Sequence, residues 1–131
     1  MKRPERTNTG RTPTEIRLHR GSRLLEIHFD DGSRFELPAE YLRVYSPSAE
    51  VRGHGPGQAV LQTGKEEVNI TGVEPVGQYA VKLVFDDGHD TGLYSWDLLY
   101  DLGANRDRYW QEYLQALEQA GYQRRTTRTE D

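Results

Sequence analysis

No cysteine occurs among the 131 residues. That absence excludes disulfides, thiolate nucleophiles, iron–sulfur ligation and cysteine-based zinc sites together. Long apolar runs are missing as well: the longest are a few residues, far from the roughly 20 that cross a bilayer. No apolar run follows Met1-Lys2-Arg3-Pro4-Glu5-Arg6, so no signal peptide is expected. A surplus of positive charge is also lacking. Lys and Arg number 17 against 21 Asp and Glu, for a net charge of −4, which gives no bulk attraction to nucleic acid or anionic membranes. These deficits lead to the expectation of a soluble cytoplasmic protein with neither a nucleic-acid nor a membrane partner. Hydrophobic residues make up only 34%, but 13 glycines bring the count near the globular average, so one folded domain with polar ends is expected.

Residues 1–13 read as a disordered lead-in, 14–122 as the domain and 123–131 as a disordered tail. Within the domain, Ile16 and Leu18 alternate with Arg17 and His19. Leu25, Ile27 and Phe29 alternate with Glu26 and His28, as half-buried strands do. Asp30-Asp31-Gly32-Ser33 supplies a hairpin turn and Phe35 and Leu37 the return strand. Pro38 can open a helical turn over Ala39-Glu40-Tyr41-Leu42. Val68–Val76 and Tyr79–Phe85 alternate in turn, the latter ending at Asp86-Asp87-Gly88-His89. Ser95 is placed to cap a helix beginning at Trp96, with Gly103 as its stop. A final helix from Asn105 to about Ala120 carries Trp110, Tyr113, Leu114 and Leu117 on one face, with Gly121 beyond it.

An internal echo runs through this pattern. Leu25-Glu26-Ile27-His28-Phe29-Asp30-Asp31-Gly32 returns as Val81-Lys82-Leu83-Val84-Phe85-Asp86-Asp87-Gly88. Each copy leads into a short return and then a cap-like residue before an aromatic-containing helical turn. Duplication and coincidence both account for it, because Asp-Asp-Gly hairpins are common.

Candidate chemistry is sparse. His89 with Asp86 and Asp87 is the densest ligand-like cluster, and carboxylates with an imidazole suit a divalent ion; His54 is a further candidate. His19 and His28 fall on the wet face of their strands. Arg52-Gly53-His54-Gly55-Pro56-Gly57-Gln58 is glycine-rich but lacks the Gly-Lys-Ser/Thr ending of a phosphate-binding loop. Ser46 and Ser48 sit in no nucleophile elbow. Glu66-Glu67 reads as solvated charge. A long irregular segment inside a compact domain is often functional, so Arg52, His54 and Gln58, with Tyr94 and Trp96, are the candidate partner-binding residues.

Leu25–Gly32 with Leu37-Pro38-Ala39-Glu40-Tyr41-Leu42-Arg43, and Val84-Phe85-Asp86-Asp87-Gly88-His89 running into Tyr94-Ser95-Trp96, resemble the gamma-butyrobetaine hydroxylase-like N-terminal domain family. The match covers roughly residues 14–122, and Ser46–Gln58 resembles free-standing bacterial members. The resemblance implies a domain that precedes an iron/2-oxoglutarate oxygenase and carries a structural zinc on three cysteines and one histidine. Ser46, Ser48 and Val51 stand at the cysteine positions and His89 at the histidine. Zinc favours four ligands, thiolates prominent among them, so the family's zinc is expected to be lost and no cofactor is expected. The oxygenase fold is also absent, so oxidoreductase activity is not expected. Similar domains attached to iron–sulfur carrier ATPases imply an adaptor role in iron–sulfur protein maturation.

The expectation is therefore an α+β two-layer sandwich: an antiparallel sheet of about five or six strands in hairpin units, with a C-terminal helix packed on it. Its inward residues would include Ile16, Leu25, Ile27, Phe29, Phe35, Val81, Leu83, Phe85, Trp110, Leu114 and Leu117. The leading function is a non-catalytic protein-binding or adaptor domain. A metal- or small-ligand site at His89 with Asp86 and Asp87 is the first alternative, and an accessory subunit of a 2-oxoglutarate-dependent oxygenase the second.

Overall fold

A computed structural model describes residues 11–48, 51 and 61–124 of the chain. Three strands, β1 (Pro13–His19), β2 (Leu24–Phe29) and β3 (Arg34–Pro38), run into helix α1 (Ala39–Val44). The same order follows again: β4 (Ile70–Val76), β5 (Ala80–Phe85) and β6 (Leu93–Ser95) lead into α2 (Trp96–Ala104). Helix α3 (Arg106–Gln119) has no counterpart in the first half. The fold is α+β, as expected, but its strands form two three-stranded antiparallel meanders, β1-β2-β3 and β4-β5-β6, and not one sheet. The reason lies in the edges. Strands β1 and β4 each carry a bulge, between Pro13 and Glu15 and between Ile70 and Gly72, and each contains a proline that cannot donate to a ladder. Bulge and proline both end a sheet.

The sequence echo is reproduced bond for bond. In the first turn Phe29 N–H donates to Ser33 O at 2.9 Å and Gly32 N–H to Phe29 O at 3.0 Å; in the second, Phe85 N–H donates to His89 O at 2.9 Å and Gly88 N–H to Phe85 O at 3.2 Å. Gly32 and Gly88 adopt φ of 89° and 91°, left-handed values that a side chain would strain. Asp31 Oδ1 accepts from Ser33 N–H at 2.9 Å, and Asp87 Oδ1 from His89 N–H at 3.1 Å. Even the junctions agree: Ala39 N–H reaches Arg23 O and Trp96 N–H reaches Tyr79 O, at 2.8 and 2.9 Å.

The two units close each other. From α2, the Tyr100 hydroxyl donates to Asp31 Oδ2 in the first turn at 2.7 Å, its ring edge-on to Phe29 and Phe35. From α1, Arg43 Nε donates to Asp87 Oδ2 in the second turn at 2.9 Å. Each helix thus clamps the turn of the other unit. Tyrosines also finish both short helices by donating to last-turn carbonyls that would otherwise be orphaned. Tyr41 donates to Leu102 O and Tyr94 to Leu42 O, each at 2.6 Å and each buried.

One core lies between the meanders. Leu25, Ile27, Phe29, Val81, Leu83 and Phe85 belong to it, as the alternation implied, while Ile16, Phe35 and Trp110 are half-buried against it. Alternation did not mark Tyr41, Leu42, Tyr94 and Leu99, which are fully enclosed. Leu117 instead packs in a smaller cluster with Val44 and Tyr113, with Leu114 at its margin. There Glu40, 6% exposed, accepts from Tyr113 Oη at 2.7 Å and from Arg124 Nε and Nη2 at 2.8 and 2.5 Å. Arg124, assigned to the tail by sequence, is therefore tied to α1, and β1 begins at Pro13. On the outer face of the first meander, Glu26 meets His28 at 2.5 Å, His19 at 2.7 Å and Arg34 at 3.3 Å. The hydrogen bonds from His28 and His19 pull its carboxyl down to about 2.

Gly103 does not stop α2; the helix continues through it to Ala104. Its lack of a side chain admits the Phe35 ring, whose Cγ would lie 2.4 Å from a Cβ there. Gly103→Ala is expected to destabilise the fold by about 1–3 kcal/mol, despite the better helix propensity of Ala. Gly21→Ala, where nothing lies within 4 Å, should stay within about 0.5 kcal/mol of the parent. Urea unfolding measures both, and equal midpoints for the two variants would contradict the packing.

Candidate functional site

Helix α1 ends at Val44, and the chain then drops Ser46 and Pro47 against the loop between β5 and β6. There the second turn departs from the first. Where the first turn has Ser33, the second has His89, and this imidazole is 5% exposed. Its Nε2 shares hydrogen bonds with Ser46 Oγ at 2.9 Å and Ser48 Oγ at 3.3 Å, and Ser46 Oγ also accepts from Ser48 N–H at 3.3 Å. Ser46, Ser48 and Val51 are buried at 1%, 8% and 5%. Gly92 makes the close approach possible, since a Cβ there would stand 2.4 Å from Ser46 Oγ and 3.1 Å from Tyr94 Cε1.

The carboxylates beside His89 in sequence turn elsewhere. Asp87 Oδ2 is held by Arg43 and by Lys65 Nζ at 2.8 Å. Burial would raise its pKa, but the hydrogen bond from Lys65, that from the His89 backbone and the charge of Arg43 together lower it from 3.8 to about 2. A depressed carboxyl stabilises the fold above its ordinary range and loses that contribution as pH falls through about 2. Asp86 Oδ1 accepts from Asn69 N–H at 3.0 Å. Turn closure therefore occupies both aspartates, and the structure does not bring them to the His89 ring nitrogen. Among the described residues no group of three or more His, Cys, Asp or Glu side chains is placed to hold a metal ion.

The zinc implied by the family resemblance does not fit this donor set. His89, Ser46 and Ser48 do converge, but the four positions offer one imidazole, two neutral hydroxyls and a valine, where structural zinc takes four thiolate or imidazole donors. The hydroxyls hydrogen-bond the imidazole Nε2 instead. Ser46 Oγ is engaged by the His89 imidazole and by Ser48 N–H, in a residue 1% exposed.

An apolar cleft of about 450 Å³ opens next to this buried group. Val44, Tyr45 and Pro47 form one wall, Val51 and Leu61 another, and Leu98, Tyr113 and Ala116 the floor, with Ser46, Glu112 and Gln62 also in the lining. Burial pushes the Tyr45 hydroxyl up in pKa, and that hydroxyl donates to Tyr109 O at 2.7 Å. Of these residues the sequence singled out Ser46 and Val51, as cysteine positions of the family, and Tyr113, as core, but none as part of a cleft. Ala116 is the one legible trace: a small residue between Glu112 and Leu117 on α3, where a large apolar one would fill the groove.

Of the candidate partner-binding residues, Tyr94 and Trp96 are among the described residues. Tyr94 is fully buried, its hydroxyl spent on Leu42 O, which removes it from any surface. Trp96 is half-buried and donates Nε1–H to Gln78 O at 2.8 Å. Arg52, His54 and Gln58 lie outside the described residues. No helix among the described residues is long and apolar enough to cross a membrane.

A family model described as gamma-butyrobetaine hydroxylase-like, N-terminal, matches residues 16–100. Two solved solution structures are each 50% identical to this chain. One covers 91% of it and 94% of its own chain, with a TM-score of 0.77; the other covers 98% of both, with 0.78. A crystal structure of a protein with unknown function from the DUF971 family of Acidithiobacillus ferrooxidans is 42% identical. It covers 71% of this chain and 93% of its own, with a TM-score of 0.61. No curated protein matches the chain.

Ser46→Ala strips the nearer partner from a buried imidazole and is expected to cost about 1–3 kcal/mol in urea unfolding. Neither chelator nor added zinc should move the melting temperature of the parent protein. A zinc-dependent rise would contradict the hydroxyl-for-thiolate reading.

Proposed function

We propose, from the premise that this chain belongs to the gamma-butyrobetaine hydroxylase-like, N-terminal family, that it is a non-catalytic docking module that takes apolar side chains of a partner protein into the cleft beside His89. The observation that carries this reading is the cleft itself. It has the size of a specific binding pocket, which spans roughly 300–1,000 Å³, and apolar walls drawn from three helices and the segment after α1. Such a groove accommodates one or two large side chains of an extended or helical segment. The reading gives the buried Ser46–His89–Ser48 group a structural part: it fixes Pro47, one lip of the cleft, against the β5–β6 loop.

Catalysis is a poorer fit. Asp86 and Asp87 serve turn closure, the Tyr113 hydroxyl anchors a helix, and the hydroxyl nearest the imidazole, Ser46 Oγ, is already hydrogen-bonded to it. A metal reading at His89 meets the same difficulty, because Asp86 and Asp87 are committed to backbone and cation partners.

A random-peptide display selection on the purified protein tests the proposal. It should return peptides with a shared apolar anchor, and Ala116→Arg or Leu61→Asp should each weaken them by about tenfold or more while melting is unchanged. Failure to select any peptide, or peptides that bind both variants as well as the parent, would overturn the reading.

A further inference from the structure

The two repeats allow each meander to serve as a control for the other, and their outer faces differ. Ladder register assigns the equivalences. Glu26 pairs with Glu36 in the first unit, and Lys82 with Leu93 in the second; the bulges align Glu15 with Gly72 and hence Arg17 with Glu74 and His19 with Val76. The first unit's face is a lattice of charge: Arg17 with Glu15, Glu26 with both histidines, Arg34 with Glu26 and Glu36. In the second unit the positions of His19, His28 and Glu36 hold Val76, Val84 and Leu93.

That face is also where exposed apolar area collects. Val76 is 40% exposed and Leu93 49%, and Tyr79, at the hairpin end beside them, is 70% exposed. Val76 and Leu93 are two of the four exposed large hydrophobics among the described residues; Tyr79 lies in the turn before β5, and Leu61 belongs to the cleft. On this face Gly72, Ala80 and Ser95 carry little or no side chain. A second layer can therefore approach to the roughly 10 Å of packed sheets.

We propose that this face is a twofold interface between two copies of the chain. A surface that meets itself across a twofold axis has to be self-complementary. The strand residues of this face include two charges, Glu74 and Lys82, of opposite sign and already 3.2 Å apart. Rotation about an axis near them sets Lys82 against Glu74 of the partner subunit, so the apolar flanks meet without like-charge repulsion. The first unit's face has no such property: its cations and carboxylates already form a saturated network that association would have to desolvate. This surface is separate from the cleft, which stays open in such a dimer, so the proposal does not depend on the docking function.

Sedimentation equilibrium on the full chain, from about 1 μM to about 1 mM, reads the outcome. The parent should approach twice the monomer mass within that range. Val76→His and Leu93→Glu, the first unit's own residues placed at exposed positions, should together raise the dissociation constant at least about 30-fold while the melting temperature at low concentration is unchanged. Lys82→Glu should weaken association, and adding Glu74→Lys to it should restore it. A parent that stays monomeric throughout, including one that binds only a foreign protein at this face, overturns the proposal. So does a dimer indifferent to the paired variant, or a charge swap that fails to recover association.

Discussion

The exchange of helices between the two repeats is the constraint on which the rest of this fold depends. A three-stranded meander ending in a six-residue helix cannot bury its apolar face alone. Here Tyr100 reaches from the second unit to Asp31 of the first, and Arg43 from the first to Asp87 of the second. Both links close a turn whose glycine holds a left-handed backbone, so each unit fixes the part of the other that is costliest to order. The hydrogen bond from Tyr100 also lowers the Asp31 pKa, which marks the carboxylate as its working form. Stability is then a property of the pair and not of either half.

Against that near-symmetry, the functional features lie where the repeats diverge. His89 stands where the first turn has Ser33, and the buried imidazole is hydrogen-bonded to Ser46 and Ser48. Helix α3 has no counterpart, and its packing across Val44 leaves the apolar cleft between α1, α2 and itself. Glu40, Tyr113 and Arg124 hold α3 there through one buried carboxylate with two partners. The outer face of the second meander has Val76, Val84 and Leu93 where the first has His19, His28 and Glu36. Symmetry accounts for the scaffold, and each departure from it leaves a surface or a buried polar group in need of a role.

Much of the scaffold was legible because period-two alternation and Asp-Asp-Gly turns are local signals. Strands β2 and β5, the Ser95 cap with its bond to Leu98 N–H at 3.1 Å, and the positive φ of Gly121 follow from a few residues each. What alternation cannot carry is the partition into two sheets, which depends on bulges and edge prolines, or the burial of all six residues of α1, too short to display a period. Gly103 read as a stop because glycine usually is one; its real partner, Phe35, is distant in sequence. The candidate site was legible only in part. Ser46 and Ser48 meet His89, but the family resemblance offered no sign that hydroxyls would hydrogen-bond the histidine. The cleft is assembled from side chains on four separate segments, and Tyr94, promising as an exposed aromatic, turned inward to cap α1.

Native-state hydrogen exchange measures the interdependence of the units most directly. If the helices lock the turns reciprocally, the amides of Phe29 and Phe85, each bonded across its own turn, open with one common free energy, and Tyr100→Phe lowers protection at Phe85 as much as at Phe29. Protection lost at Phe29 alone, with Phe85 unchanged, would show two independently stable halves and contradict the account.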